Sequence, residues 1–184
     1  MGIKTAFSKQ KHENTREVLL HPDPRLSQQA LAVDLEDEAE LAELGRLANE
    51  LIATMRKQLG VGLAATQVGI ARRVFVYSTD GEDGAEGDAA LVNPQIVYAS
   101  EEMIEDEEGC LSFPALYAPV SRHKKVIVEG FDQAGLAIRV EAEDFLARVF
   151  QHEIDHLDGV SFVSRLSDED RKRALQEYFD LRAV

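Results

Sequence analysis

At 184 residues, with 34 acidic against 20 basic side chains, the chain carries a formal charge of −14, which argues against broad binding to a phosphate backbone. Its 45% hydrophobic and 29% charged content is that of an ordinary soluble globular protein, long enough for one domain with its own core. No apolar run approaches the ~20 residues needed to span a bilayer, and the single cysteine, Cys110, rules out an internal disulfide and fits a reducing compartment.

The acids cluster at residues 34–43, 80–88 and 101–108, which leaves room for a basic face elsewhere. Residues 1–15 carry Lys4, Lys9 and Lys11 and lack an apolar signal core, so a flexible tail is expected ahead of a single domain over 16–184. Residues 18–26 start apolar and are broken by Pro22 and Pro24, which predicts an extended segment that turns; His21 within it is given no site role. From 37 to 58, Leu41, Leu44, Ala48, Leu51, Ile52 and Met55 recur at spacings that predict a helix, with acids early, Arg56 and Lys57 late, and Gly60 as its end.

Residues 60–69 could pass for a dinucleotide-binding turn, but such a turn follows a strand and opens a helix, whereas this one follows a helix. The small residues better suit a loop whose backbone approaches something closely, with Gln67 as its one amide side chain. A strand is expected over 73–77. The acidic, Gly-rich run 79–88 reads as a solvent loop and lacks the regular acid spacing of a calcium loop. Residues 90–98 alternate as a strand interrupted at Asn93-Pro94, residues 107–114 are turn-rich around Cys110, and 124–130 with 137–142 read as a hairpin. After a short apolar connector at 160–163, Ser167-x-x-Asp170 opens a capped helix to about Leu181, with Ala174, Leu175, Tyr178 and Phe179 on one side and Arg171-Lys-Arg173 on the other. Strands thus dominate the middle, with helices near both ends.

Residues 145–159 carry the most informative chemistry: His152-Glu153-x-x-His156 inside a helical apolar pattern. Histidines four apart lie one above the other on a helix, so both imidazoles can reach one cation, and Glu153 projects to the same side as a candidate general base. At about 100° per residue, Phe145, Leu146, Val149, Phe150, Ile154 and Leu157 fill one arc containing both histidines and Glu153, while Arg148 and Asp155 project away. Asp144 is the expected N-cap and Gly159 the expected residue after the C-terminus. A carboxylate on a buried face is costly unless a cation compensates it. Cys110 as a third ligand would complete a site with one open position, the arrangement of a catalytic metal; thiolate and imidazole suit Zn²⁺ and Fe²⁺ alike. Glu153 beside a water in that position can take its proton, aiming a hydroxide at a polarised carbonyl.

Three stretches, Gly60-Val-Gly-Leu-Ala-Ala-Thr-Gln67, Glu108-Gly-Cys-Leu-Ser112 and Gln151-His-Glu-Ile-Asp-His156, resemble the three motifs of the peptide deformylase family, in the family's order. The similarity runs from about Arg16 to the C-terminus. It implies an α+β fold, with antiparallel or mixed strands packed around a central metal-binding helix and further helices toward each end. It also implies Cys110, His152 and His156 as ligands of one divalent metal, ferrous iron in the cell, with zinc or nickel as alternatives in purified protein.

The implied activity is removal of the N-formyl group from the initiating methionine of new polypeptides. Metal-bound water is then the nucleophile, Glu153 the general base and acid, and Gln67 with the backbone N–H of Leu111 the donors to the developing oxyanion. By the same similarity Val61 and Gly62 pair with the peptide, while Leu111, Phe145 and Val149 line an apolar pocket for methionine; core packing is the alternative reading of those three. Tyr117 stands where some members carry an arginine. Arg122 matches a basic position suited either to substrate or to an ion pair with Asp155.

The expected partner is a nascent formyl-methionine polypeptide in the cytoplasm, with no specific DNA and no membrane. A ribosome contact through the basic side of the last helix competes with a simply solvated surface. A metallopeptidase on the same helix is the rival enzyme class, although its third ligand is usually a downstream His or Glu. A metal-stabilised binding module is the non-enzymatic alternative.

Overall fold

The computed structural model describes residues 14–78 and 87–183. The expected tail, apart from its last two residues, and the expected loop 79–88, apart from Gly87 and Asp88, lie outside the described residues.

The first long element, α1, is Glu38–Lys57, and it forms where the apolar spacing predicts it. The Asp37 carboxylate accepts from Ala39 N at 2.8 Å and from Glu40 N, satisfying two backbone donors that a helix start leaves free. At the other end it is Leu59, not Gly60, that takes the left-handed conformation (φ 57°), while Gly60 N returns to Met55 O at 2.9 Å.

Among the described residues seven strands follow: β1 Gly62–Ala64, β2 Val74–Ser78, β3 Asp88–Ala99, β4 Met103–Cys110, β5 Phe113–His123, β6 Lys125–Phe131 and β7 Ala137–Glu143. They form a five-stranded sheet in the order β1-β2-β3-β6-β7 and a two-stranded ribbon of β4 and β5. Each pairing between these strands is antiparallel. The fold class is α+β, completed by α2, Asp144–Leu157, and α3, Asp168–Arg182.

Alternation on β2 shows how the sheet divides the core. Phe75 and Tyr77 pack with Leu91, Val126, Val128, Val149, Phe150 and Leu157 on the α2 side. Val74 and Val76 pack with Leu44, Ala48, Leu51 and Met55 on the α1 side. Successive side chains point to opposite faces of a strand, so a sheet covered by helices on both faces needs apolar residues at every position. A third cluster joins Phe113, Leu116, Ala118 and Val120 of β5 to Phe162, Val163, Ala174 and Tyr178, seating α3. His21 belongs to this structural layer: its ring stacks on Phe113 at 4.7 Å, and its carbonyl accepts from Tyr178 Oη at 2.9 Å.

Four local expectations are revised. The 60–69 loop contains a three-residue strand, β1, and a 3₁₀ turn, Ala65–Val68, closed by Gly69 at φ 78°. The stretch before Cys110 is a strand rather than a turn: the acids of β4 ride on a ribbon exposed on one side, and its partner β5 supplies the inward apolar residues. The strand around Asn93-Pro94 does not stop but bulges, with Asn93 at φ 50° and its side chain bonded to Val33 N (2.8 Å) and Val33 O (2.9 Å). The N-cap of α2 is Glu143, without a side-chain cap bond, and Asp144 sits at φ 51° with its N–H on Lys124 O. Gly159, at φ 74°, follows the helix as expected, and a Cβ there would meet Ser27 O at 2.7 Å.

Arg148 and Asp155 project away from the apolar arc, as the helical projection has them, but the side they occupy is itself buried. Residues 147–157 of α2 are all buried, because the ribbon and the 3₁₀ turn Phe162–Arg165 cover the side that the five-stranded sheet leaves open. Gln151 ties that side down, accepting from His123 N at 3.0 Å and donating to His123 O at 2.8 Å.

Candidate metal centre

Cys110 ends β4, and the next two residues turn the chain into β5, so its thiol is delivered to the surface of α2. There it meets His152 and His156, stacked on successive turns. Cys110 Sγ lies 3.1 Å from His156 Nε2, the two Nε2 atoms lie 3.2 Å apart, and all three ligand atoms fall within 4.8 Å of one another. Ligands at about 2.0–2.3 Å around one tetrahedral ion are separated by roughly 3.3–3.7 Å, so the cluster fits a single cation.

A carboxylate behind His152 sets its tautomer. Glu108 Oε1 sits 2.6 Å from His152 Nδ1, which leaves the Nε2 lone pair aimed at the cluster. Burial alone would raise the Glu108 carboxyl, but hydrogen bonds from His152 and Arg122 outweigh it and hold the group well below the usual carboxylate range. Arg122 donates to Glu108 at 2.6 and 3.1 Å and to Asp155 at 2.6 Å. Asp155 in turn accepts from Arg165 Nε at 3.0 Å. The sequence left Arg122 between substrate and ion pair; it is buried in the ion pair.

Glu153 is 3% exposed and lies directly beneath β1, close enough that a Cβ on Gly62 would fall 2.9 Å from its Cδ. Its Oε2 has no hydrogen-bond partner among the described residues, and burial pushes its carboxyl up to about 7. An unpartnered buried oxygen beside three convergent donors is what a site for a cation and its water requires.

Gln67, on the 3₁₀ turn, is held by Ala64 N on its Oε1 (2.9 Å), which points Nε2 at Cys110 Sγ (3.4 Å) and Ser112 Oγ (3.2 Å). A cleft of about 550 Å³ opens above these groups. Val61, Gly62, Leu111, Phe145 and Val149 all line it, together with Gln67, Cys110, His152 and Glu153. Of the five, Val61 and Phe145 are exposed at the rim, whereas Val149 is buried. Tyr117 lines the same cleft and is 65% exposed.

The sequence offered the Arg122–Asp155 pair as one reading but missed Glu108 and Arg148, which join it to His152. Glu108 sits in a run of acids with nothing local to single it out, and its partners come from β5 and α2.

Comparison with known proteins agrees with this geometry. The family model described as polypeptide deformylase matches residues 15–172. The peptide deformylase of Acidothermus cellulolyticus is 45% identical over 161 residues, 88% of this chain and 84% of that protein. The crystal structure of peptide deformylase from Thermus thermophilus, 38% identical, superposes with a TM-score of 0.79 over 89% of this chain and 92% of that one. Peptide deformylase from Ehrlichia chaffeensis, solved in complex with actinonin, is 33% identical, with a TM-score of 0.79 over 89% of this chain and 95% of that one. The matched span takes in the sulfur and both imidazoles, and with the fold shared over nearly the whole length, the chain belongs to the polypeptide deformylase family.

Proposed function

We propose that this protein hydrolyses the N-formyl group from the N-terminal formyl-methionine of newly made polypeptides, with residues 16–184 acting as one catalytic unit. The observation that carries this is the cluster of Cys110, His152 and His156 at the floor of a cleft lined by Cys110, His152 and the buried carboxylate of Glu153. The three ligands hold one divalent cation, ferrous iron in the cell, and a bound cation supplies Lewis acidity that polarises a carbonyl and acidifies water.

Glu153 takes the proton of the attacking water, a task suited to a carboxyl that burial has brought near neutral pH. It returns that proton to the amine nitrogen as the C–N bond breaks, so formate and a free N-terminus leave. Gln67 Nε2 and the N–H of Leu111 donate to the formyl oxygen as it becomes negative, and preorganised donors of this kind each contribute about 3 kcal/mol. Val61 and Gly62 offer main chain to the peptide, and Leu111, Phe145 and Val149 enclose the methionine side chain.

A substrate made on the ribosome places the enzyme in the cytoplasm, where a thiol ligand stays reduced. On α3, Arg171 and Arg173 are paired with Asp168 and Asp170, so little basic charge is left there for an RNA surface.

The test is anaerobic: metal content and formate release are measured together on a formyl-Met tripeptide and its acetyl analogue. One metal per chain with formate from the formyl peptide supports the proposal. Cleavage of internal peptide bonds without formate sinks it in favour of a metallopeptidase.

A further inference from the structure

We infer that Arg148 is a positioning residue, acting on the metal ligand His152 through Glu108, and that it is not a cation offered to substrate. Four cleft-lining residues of α2, Phe145, Arg148, Val149 and His152, follow one helical stripe at i, i+3, i+4 and i+7. An arginine on such a stripe would ordinarily be read as a substrate anchor. Its side chain, however, is only 8% exposed, and three of its five N–H donors are committed to the protein.

Nη1 donates to Glu108 Oε2 and to Val120 O, both at 2.9 Å, and Nη2 donates to Ile104 O at 2.9 Å. Those carbonyls belong one to each strand of the β4–β5 ribbon, so a single guanidinium pins both strands to the helix that bears the histidines. The aliphatic stem is left to wall the cleft.

Glu108 shows why the contact matters. Its Oε1 is engaged by Arg122 and by His152 Nδ1, and its Oε2 by Arg122 Nε at 3.1 Å and by Arg148. Without Arg148, Oε2 keeps one long bond and the carboxylate gains a rotation that carries Oε1 off the imidazole. A ligand histidine freed in this way binds its metal less tightly, typically by about 10- to 100-fold.

The experiment compares wild type with Arg148→Met, which keeps the stem and removes every donor, and Arg148→Lys, which restores one charged donor. The readouts are the rate of metal loss to a chelator from Co²⁺-loaded protein and the visible Co²⁺ spectrum, supported by kcat and KM on a formyl-Met peptide. Expected for Arg148→Met is metal loss faster by about tenfold with an altered Co²⁺ band, and a fall in kcat exceeding the change in KM; Arg148→Lys recovers part of each. Unchanged metal loss and spectrum in Arg148→Met overturn the inference and leave the residue a wall of the cleft. A larger KM effect for acidic than for neutral peptides would overturn it too, by making Arg148 a substrate anchor. If Arg148→Met does not fold, Arg148→Lys decides alone, with wild-type metal loss and spectrum again counting against the inference. The kinetic arm rests on the deformylase proposal, but metal loss does not, so failure of one is distinguishable from failure of the other.

Discussion

Helices α2 and α3 have nearly the same length, 14 and 15 residues, and both are rich in charge, yet they use it in opposite ways. In α3 only Ala174 and Tyr178 are buried, and its ion pairs run between Asp168 and Arg171 and between Asp170 and Arg173, along the helix's own exposed surface. In α2 every residue from 147 to 157 is buried, and the charges of Arg148 and Asp155 are answered by β4, β5 and the 3₁₀ turn after the helix. Charge on α3 is solvated; charge on α2 is part of the tertiary structure. Truncating a partner should therefore cost little on one helix and a great deal on the other.

The sharpest test lies at the centre of α2. Glu153→Gln should lower kcat by on the order of 10³-fold while metal content stays near that of wild type, measured by formate release and metal analysis on the same preparation. Full activity in that protein would break the mechanism. Next, Asp155→Ala removes one of the two carboxylates that balance the buried Arg122, leaving Glu108 to two guanidinium groups, and should destabilise the metal-loaded protein by about 3 kcal/mol in urea unfolding. A cost below about 1 kcal/mol would make the buried network no different from the surface one. On α3 the largest polar effect should come from the cap, not from a charge. Ser167 Oγ accepts from Asp170 N at 3.1 Å, and Ser167→Ala should cost about 1 kcal/mol by thermal unfolding. Smallest of all, Arg173→Ala should shift stability by less than about 0.5 kcal/mol, and a larger loss would mean that α3 is not merely solvated.

The same contrast explains what could be read from sequence. Helix α1 was legible because one face packs and the other is wet, so periodicity carries the whole signal. In α2 the histidine pair and Glu153 were legible because their relation is local, fixed by helical spacing. Arg148 and Asp155 do project away from the apolar arc, but a helical wheel sees only its own helix and could not show that a ribbon distant in sequence buries that side with Glu108 and Arg122. The ribbon itself was hidden: β4 reads as a string of acids, and its inward partners lie on the strand it pairs with. Gln67 and Leu111 carried no chemistry that spacing alone could reveal, and entered through the motifs they share with the family.

The close approach of β1 to Glu153 has a consequence for how this cleft can change under selection. A Cβ at position 62 would fall on the Glu153 carboxyl, which is buried except where it faces the cleft and could make room only by turning from its place under β1. A side chain at position 62 would therefore cost the base its place. In a population of variants challenged with compounds that occupy the cleft, escape is expected at Val61 and Tyr117, whose side chains reach solvent. A compound whose contacts fall on Gly62 and Glu153 meets the part of the cleft with the fewest routes to resistance.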